Sequence, residues 1–180
     1  MRLERSLGQI KFHSAVMPSV VASIFGSSLL AECRDELEYR YGMSDFTPVT
    51  SILAPRRFGK SLGMAVMVAA ALLAIPNYVV VLASITKRVS AEMMNTIKDL
   101  LSHVPGFADQ IDRDNSENLR IVNPDDPRDF RHLRCVPGNH TKCRGIKAKW
   151  ILLDEADFMD TDFFVLASCS RSRSRPRASW

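Results

Sequence analysis

Cysteine is scarce. Cys33, Cys135, Cys143 and Cys169 are scattered through 180 residues. That is too few for the dense disulfide framework of a small secreted domain, and a reducing compartment is the better match. No signal peptide is expected either: Met1-Arg2-Leu3-Glu4-Arg5 is charged and mixed, and leads into no continuous apolar core with a cleavage site. Nor does the body carry an excess of one charge. Lys and Arg number 24 against 20 Asp and Glu, and Arg171, Arg173, Arg175 and Arg177 supply the whole difference. The remainder is neutral and shows no basic stripe interleaved with aromatics of the kind that grips nucleic acid. One apolar run, 62–83, approaches the length of a membrane span, but Pro76-Asn77 divides it. Its halves predict a buried helix over 62–75 and, over 78–84, a β-branched strand of the kind covered on both faces in a parallel sheet. No membrane partner is expected. A composition 46% hydrophobic and 24% charged fits one globular domain with a core.

What is present centres on Ser51-Ile52-Leu53-Ala54-Pro55-Arg56-Arg57-Phe58-Gly59-Lys60-Ser61. This predicts a short apolar strand, a tight loop and the first residues of a helix, ending in the Gly-Lys-Ser of a phosphate-binding loop. Backbone N–H groups of such a loop and of the helix start converge on one spot and favour an anion there. Gly59 lets the backbone approach closely, Lys60 would reach the β- and γ-phosphates of ATP, and Ser61 would place its hydroxyl on Mg²⁺. The usual pattern opens with Gly; Ala54 stands in that place. A second motif, Lys149-Trp150-Ile151-Leu152-Leu153-Asp154-Glu155-Ala156-Asp157, is an apolar strand ending in carboxylates. Asp154 would hold the Mg²⁺ shell, and Glu155 would orient and deprotonate the attacking water. Together the motifs predict an α/β fold, a P-loop NTPase of the ASCE type with a mainly parallel sheet flanked by helices, incomplete at the C-terminus.

Along the chain, residues 1–18 give no reading, and 19–41 predict one or two helices, interrupted at Gly26-Ser27-Ser28 and capped by Gly42. Phe46 either covers an adenine ring or packs under the first strand. After the second strand Thr86 is a helix N-cap, and 87–103 is amphipathic with Val89, Met93, Ile97, Leu100 and Leu101 on its stripe. Lys87 and Arg88 fall just past a strand's carboxyl end, where ligands approach open sheets. Residues 119–123 and 129–136 predict a hairpin, inserted at about 119–136 and joined by Pro124-Asp125-Asp126-Pro127. His132, Cys135, His140 and Cys143 are zinc-type ligands, but their spacing is unlike common zinc modules. Alternation along a strand would also send His132 and Cys135 to opposite faces. A last helical piece is expected at 163–167. The domain scheme is an N-terminal helical segment over 1–44, the ATPase domain over 45–168, and a disordered Arg/Ser tail over 169–180.

Three features narrow the class: Ala54-Pro55-Arg56-Arg57-Phe58-Gly59-Lys60-Ser61, then Cys143-Arg144-Gly145-Ile146, then Ile151-Leu152-Leu153-Asp154-Glu155-Ala156-Asp157-Phe158-Met159. Over roughly 50–164 the chain resembles the ATPase domain of the large terminase subunit of herpesviruses and tailed phages, and the doubled arginine looks like the herpesvirus-type version. The resemblance implies that Ala54, Pro55, Arg56, Arg57, Phe58, Gly59, Lys60 and Ser61 bind nucleotide, that Ser61 and Asp154 hold Mg²⁺, and that Glu155, Arg56 and Lys60 are catalytic. Arg56 matches a loop arginine directed at the γ-phosphate; Arg144 and Gly145 match a family motif of no derivable role. It further implies double-stranded viral DNA, a portal protein and a small terminase subunit as partners, a homo-oligomeric ring in the complete protein, and the host nucleus as its place of work for the herpesvirus type, the host cytoplasm otherwise. The family's coupling strand and acidic nuclease domain have no counterpart in these residues. Two other classes stay open. Asp154-Glu155-Ala156-Asp157 spells the signature of superfamily 2 helicases, although their glycine- and threonine-containing phosphate loop and upstream glutamine motif are not evident. A defective P-loop domain serving as a binding module is the other.

Overall fold

Ser6 starts the first helix, α1 (Leu7–Tyr41). Its hydroxyl accepts the Gln9 N–H at 3.2 Å while the Gln9 carboxamide oxygen accepts the Ser6 N–H at 2.9 Å. This capping box satisfies two of the donors that a helix start leaves open. The structure, a computed structural model, describes residues 6–42, 46, 50–55, 58–137 and 148–159. Arg56, Arg57, His140, Cys143, Arg144, Gly145, the helical piece expected at 163–167 and the Arg/Ser tail lie outside the described residues. The break expected at Gly26-Ser27-Ser28 does not occur: α1 runs through it and through Pro18. An interior glycine costs only about 1 kcal/mol, which a long helix absorbs. Gly42 ends the helix as expected, at φ 64°, its N–H donating to the Glu38 carbonyl at 2.8 Å.

The chain divides into two compact units, Met1–Met67 and Val68–Trp180, the boundary falling inside α2 (Lys60–Ala74). In the first unit Phe12, Val16, Val20 and Val21 of α1 are buried, with Met64, Ala65 and Met67 of α2. Gly63 makes the packing close: a Cβ there would stand 2.9 Å from Phe12 Cδ1. The strand expected over 51–54 is not formed; residues 50–55 carry no regular structure and Leu53 is 94% exposed. The run is short, Pro55 has no N–H to give a ladder, and a strand exists only where another pairs with it.

The second unit is built on a five-stranded sheet ordered β2-β3-β4-β1-β5, from β1 (Val79–Ser84), β2 (Ile111–Asp114), β3 (Asn118–Val122), β4 (Phe130–Pro137) and β5 (Trp150–Leu153). The strands β4, β1 and β5 run parallel. Antiparallel β3 and β2 extend that core on one side. The hairpin expected as an insertion thus joins the sheet directly, since β4 pairs with β1. As its β-branched run predicts, β1 is central and buried. Thr86 caps α3 (Lys87–Ser102). Met93, Met94, Ile97 and Leu101 of α3 are buried, and α3 lies against β4 and β1, each such side chain contributing roughly 1.5–3 kcal/mol. The 62–83 run splits as expected into α2 and β1, and among the described residues no helix is long and apolar enough to cross a membrane.

Candidate functional site

In the first unit the loop arrives at α2 through Phe58 and Gly59. Phe58 N–H turns back to the Pro55 carbonyl at 3.4 Å, and Gly63 N–H donates to the Gly59 carbonyl at 2.8 Å, the first bond of the helix. Gly59 sits at φ 81°, a conformation that side chains rarely adopt, and a Cβ there would meet Gln9 Cγ at 3.4 Å. Lys60 and Ser61 are the first two helical residues, Lys60 half-buried and Ser61 exposed. No acidic residue occupies this first turn, so the positive end of the helix is not internally neutralised. The N-terminal turn of α1 braces the loop: a Cβ on Gly8 would stand 3.0 Å from the Phe58 ring, and the His13 ring lies 3.2 Å from the Gly63 carbonyl. Residues 6–13 therefore matter to the loop although the sequence reading drew nothing from them. The S-x-x-Q box at Ser6 was the available signal.

In the second unit the carboxyl ends of β1 and β5 lie side by side. Asp154 N–H donates to the Ala83 carbonyl at 3.0 Å, which sets its buried side chain next to the end of β1. Glu155 follows with an exposed side chain and left-handed backbone (φ 57°, ψ 45°), then a 3-10 turn, Ala156–Phe158. A non-glycine residue in that region carries strain, and such strain gathers at functional sites. Two residues overlooked in the sequence, Ser84 and Ser90, organise the same edge. Their buried hydroxyls hydrogen-bond to each other, and Ser84 Oγ also donates to the Thr86 carbonyl at 2.8 Å. Only the fold brings them together. Lys87, expected beside this edge, pairs with Glu117 at 2.6 Å, and Arg88 with Glu92 at 3.0 Å. Phe46 is half-buried.

The chemistry of these donors suits ATP and Mg²⁺. The Ser61 hydroxyl in the first unit and the Asp154 carboxylate in the second are each hard oxygen ligands of the kind that Mg²⁺ takes. Of the four zinc-type residues only His132 and Cys135 are described, and among the described residues no three His, Cys, Asp or Glu side chains gather to hold a metal. Cys135 donates to the Ser90 carbonyl at 3.4 Å on the α3 side, whereas the His132 ring lies 3.3 Å from Asn118 Oδ1 on the other face. Burial pushes the Cys135 thiol up to about 12.

No protein-family model and no curated protein matches the sequence. Among solved structures the chain is similar to the large terminase of a thermophilic bacteriophage, at 17% identity and a TM-score of 0.52. The match covers 66% of this chain, which spans about 30% of the phage protein. At that identity the likeness shows the fold: a mixed α/β arrangement with a five-stranded sheet flanked by helices, as in that large terminase.

Proposed function

We propose that this chain is the ATPase part of a DNA-packaging motor of the terminase type. The observation that carries the reading is the pair Asp154 and Glu155, one buried and one exposed, at the carboxyl edge of a terminase-like sheet. ATP is the substrate. The loop N–H groups with Lys60 and Ser61 bind and orient its phosphates, and the resemblance assigns Arg56 to the γ-phosphate. Mg²⁺, when bound, neutralises developing phosphate charge; Ser61 and Asp154 would hold it. Glu155 takes the proton from the attacking water and aligns that water with the γ-phosphorus. The doubled Arg56-Arg57 with Ala54 in the first loop position supports the herpesvirus-type branch, and with it work in the host nucleus on double-stranded viral DNA. A portal protein, a small terminase subunit and a ring of copies complete the motor.

Binding and turnover of ATP, measured separately, test this. Lys60→Ala loses both, and Glu155→Gln keeps binding while turnover falls by about 10²–10⁴-fold. The unpaired segment 50–55 favours one other reading, a P-loop module that binds without hydrolysis. Binding with no turnover, indifferent to Glu155→Gln, would establish that module instead.

A further inference from the structure

The outer strands of the sheet gather cationic side chains that lie far apart in the sequence. Residues directly opposed in an antiparallel pair share a face. Arg113 opposes Arg120, Arg120 opposes His132, and Asn118 opposes Arg134. Arg113, Arg120, His132 and Arg134 therefore stand on one face, across three strands, about 10 Å wide at the usual strand spacing. An irregularity between Ile111 and Arg113 makes this arrangement. With regular pairing from Ile111 onward, Asp112 would oppose Arg120 and Arg113 would point to the other face; the bulge reverses that. The opposite face carries Leu119, Leu133 and Cys135, all buried, with Cys135 bonded to Ser90 of α3.

The neighbouring carboxylates mostly turn elsewhere. Asp114 pairs with Lys98 and Glu117 with Lys87. Asp112 does reach this face: it forms an ion pair with Arg120, Oδ2 lying 3.4 Å from Nε, although that nitrogen has no hydrogen-bond partner among the described residues. The Arg120 guanidinium covers the Phe130 ring at 5.1 Å. His132 records the resulting field: burial, then Arg134, Arg120 and Arg113 in turn, hold its ring below the ordinary histidine range. Arg113 is exposed, and the Arg120 side chain keeps 43% exposure.

We propose that this face binds the phosphate backbone of a nucleic acid. Guanidiniums pair with phosphate oxygens in fork geometry. Phe130 is already covered by Arg120, so the face offers a set of backbone contacts and not a base-stacking platform, which favours a duplex. Naming DNA as the polyanion rests on the motor reading; the anion-binding face itself does not.

The test is fluorescence anisotropy of the full chain with a labelled blunt DNA duplex and the matching single strand, over a salt series. Three phosphate contacts make duplex affinity fall by about 40-fold between 50 and 200 mM salt, and their loss makes the log–log slope shallower by about 2.7. Arg113→Gln/Arg120→Gln/Arg134→Gln shows that change. Lys11→Gln/Arg34→Gln/Arg40→Gln, which removes equal charge from α1, does not. Equal slopes for the two variants overturn the proposal, and so does binding of polyglutamate with none of either DNA. Should the triple variant fail to fold, the unaltered protein still decides. Duplex bound at the face raises the midpoint of the His132 ring titration seen by NMR, and an unmoved midpoint rejects it. The two readings fail separately: absent ATP turnover with an intact slope rejects the motor alone.

Discussion

Arg131 is held by Asp129 at 2.7 Å, and from that position its guanidinium donates to the Leu72 and Leu73 carbonyls at 3.1 Å each. A side chain of β4 thus closes the open end of α2. Asp129 also accepts the Asn77 N–H at 2.9 Å, and Asn77 (φ 53°) makes the turn from α2 into β1. One carboxylate ties together three elements that carry the sheet.

Asp129→Ala should therefore be costly. Both side chains are largely buried, at 9% and 13% exposure, and removing one leaves the other uncompensated. We expect a loss of about 3 kcal/mol in urea denaturation. The Arg131 guanidinium holds the Asp129 carboxyl below its ordinary 3.8. A depressed carboxyl stabilises the fold fully above its unfolded value and loses that contribution as pH falls through its lower folded value. The gap between parent and variant should close in that acid range; a gap independent of pH would show that the ion pair contributes nothing.

Gly63→Ala should destabilise the first unit, although alanine is the better helix former by about 1 kcal/mol. The new Cβ would stand 2.9 Å from buried Phe12, so the ring or the helix must shift. Overpacking of this kind costs about 1–3 kcal/mol. A raised melting temperature would mean that Phe12 moves aside freely, and Phe12→Leu in the same background should recover the loss.

What could be read from the sequence was local. The run Tyr78-Val79-Val80-Val81-Leu82-Ala83-Ser84 carries its own strand signal, and Thr86 with the stripe through Met93 and Ile97 carries its own helix signal. Pro124-Asp125-Asp126-Pro127 announces a turn, and β3 and β4 flank it as expected. By contrast β2, Ile-Asp-Arg-Asp, is an exposed edge strand with no alternation to recognise. The segment 51–54 shows the converse, since strand-like residues without a paired neighbour form no strand. The motif residues of the candidate site were visible as spacings, but the Ser84–Ser90 pair and the left-handed backbone of Glu155 are not written in any spacing. The cationic face was invisible for the same reason: a one-residue bulge and two strand registers assemble it from a neutral-looking chain.

Cys135 should be chemically silent in the folded protein. With the thiol at about 12, almost no thiolate exists at pH 8, and the side chain is buried against α3. Half-buried Cys33 should take up iodoacetamide well before Cys135 does, as peptide mass spectrometry would resolve. Fast labelling of Cys135 in the native state would show that α3 lifts readily off β4.

Glu155→Gly separates strain from chemistry. Glutamate at φ 57° costs about 1 kcal/mol or more relative to glycine, which takes this conformation freely. Entropy gained by the unfolded glycine chain offsets part of the relief, so unfolding free energy should stay level or rise slightly, where an ordinary surface Glu→Gly change lowers it. ATP turnover, on the proposed reading, should meanwhile fall by about 10²–10⁴-fold, because the carboxylate assigned to take the water's proton is gone. The two readouts decide between roles for the kink. Stability held with turnover lost means that the fold spends strain to aim this carboxylate; stability lost as well means that the side chain supports the edge of the sheet, and the chemical role then needs another residue.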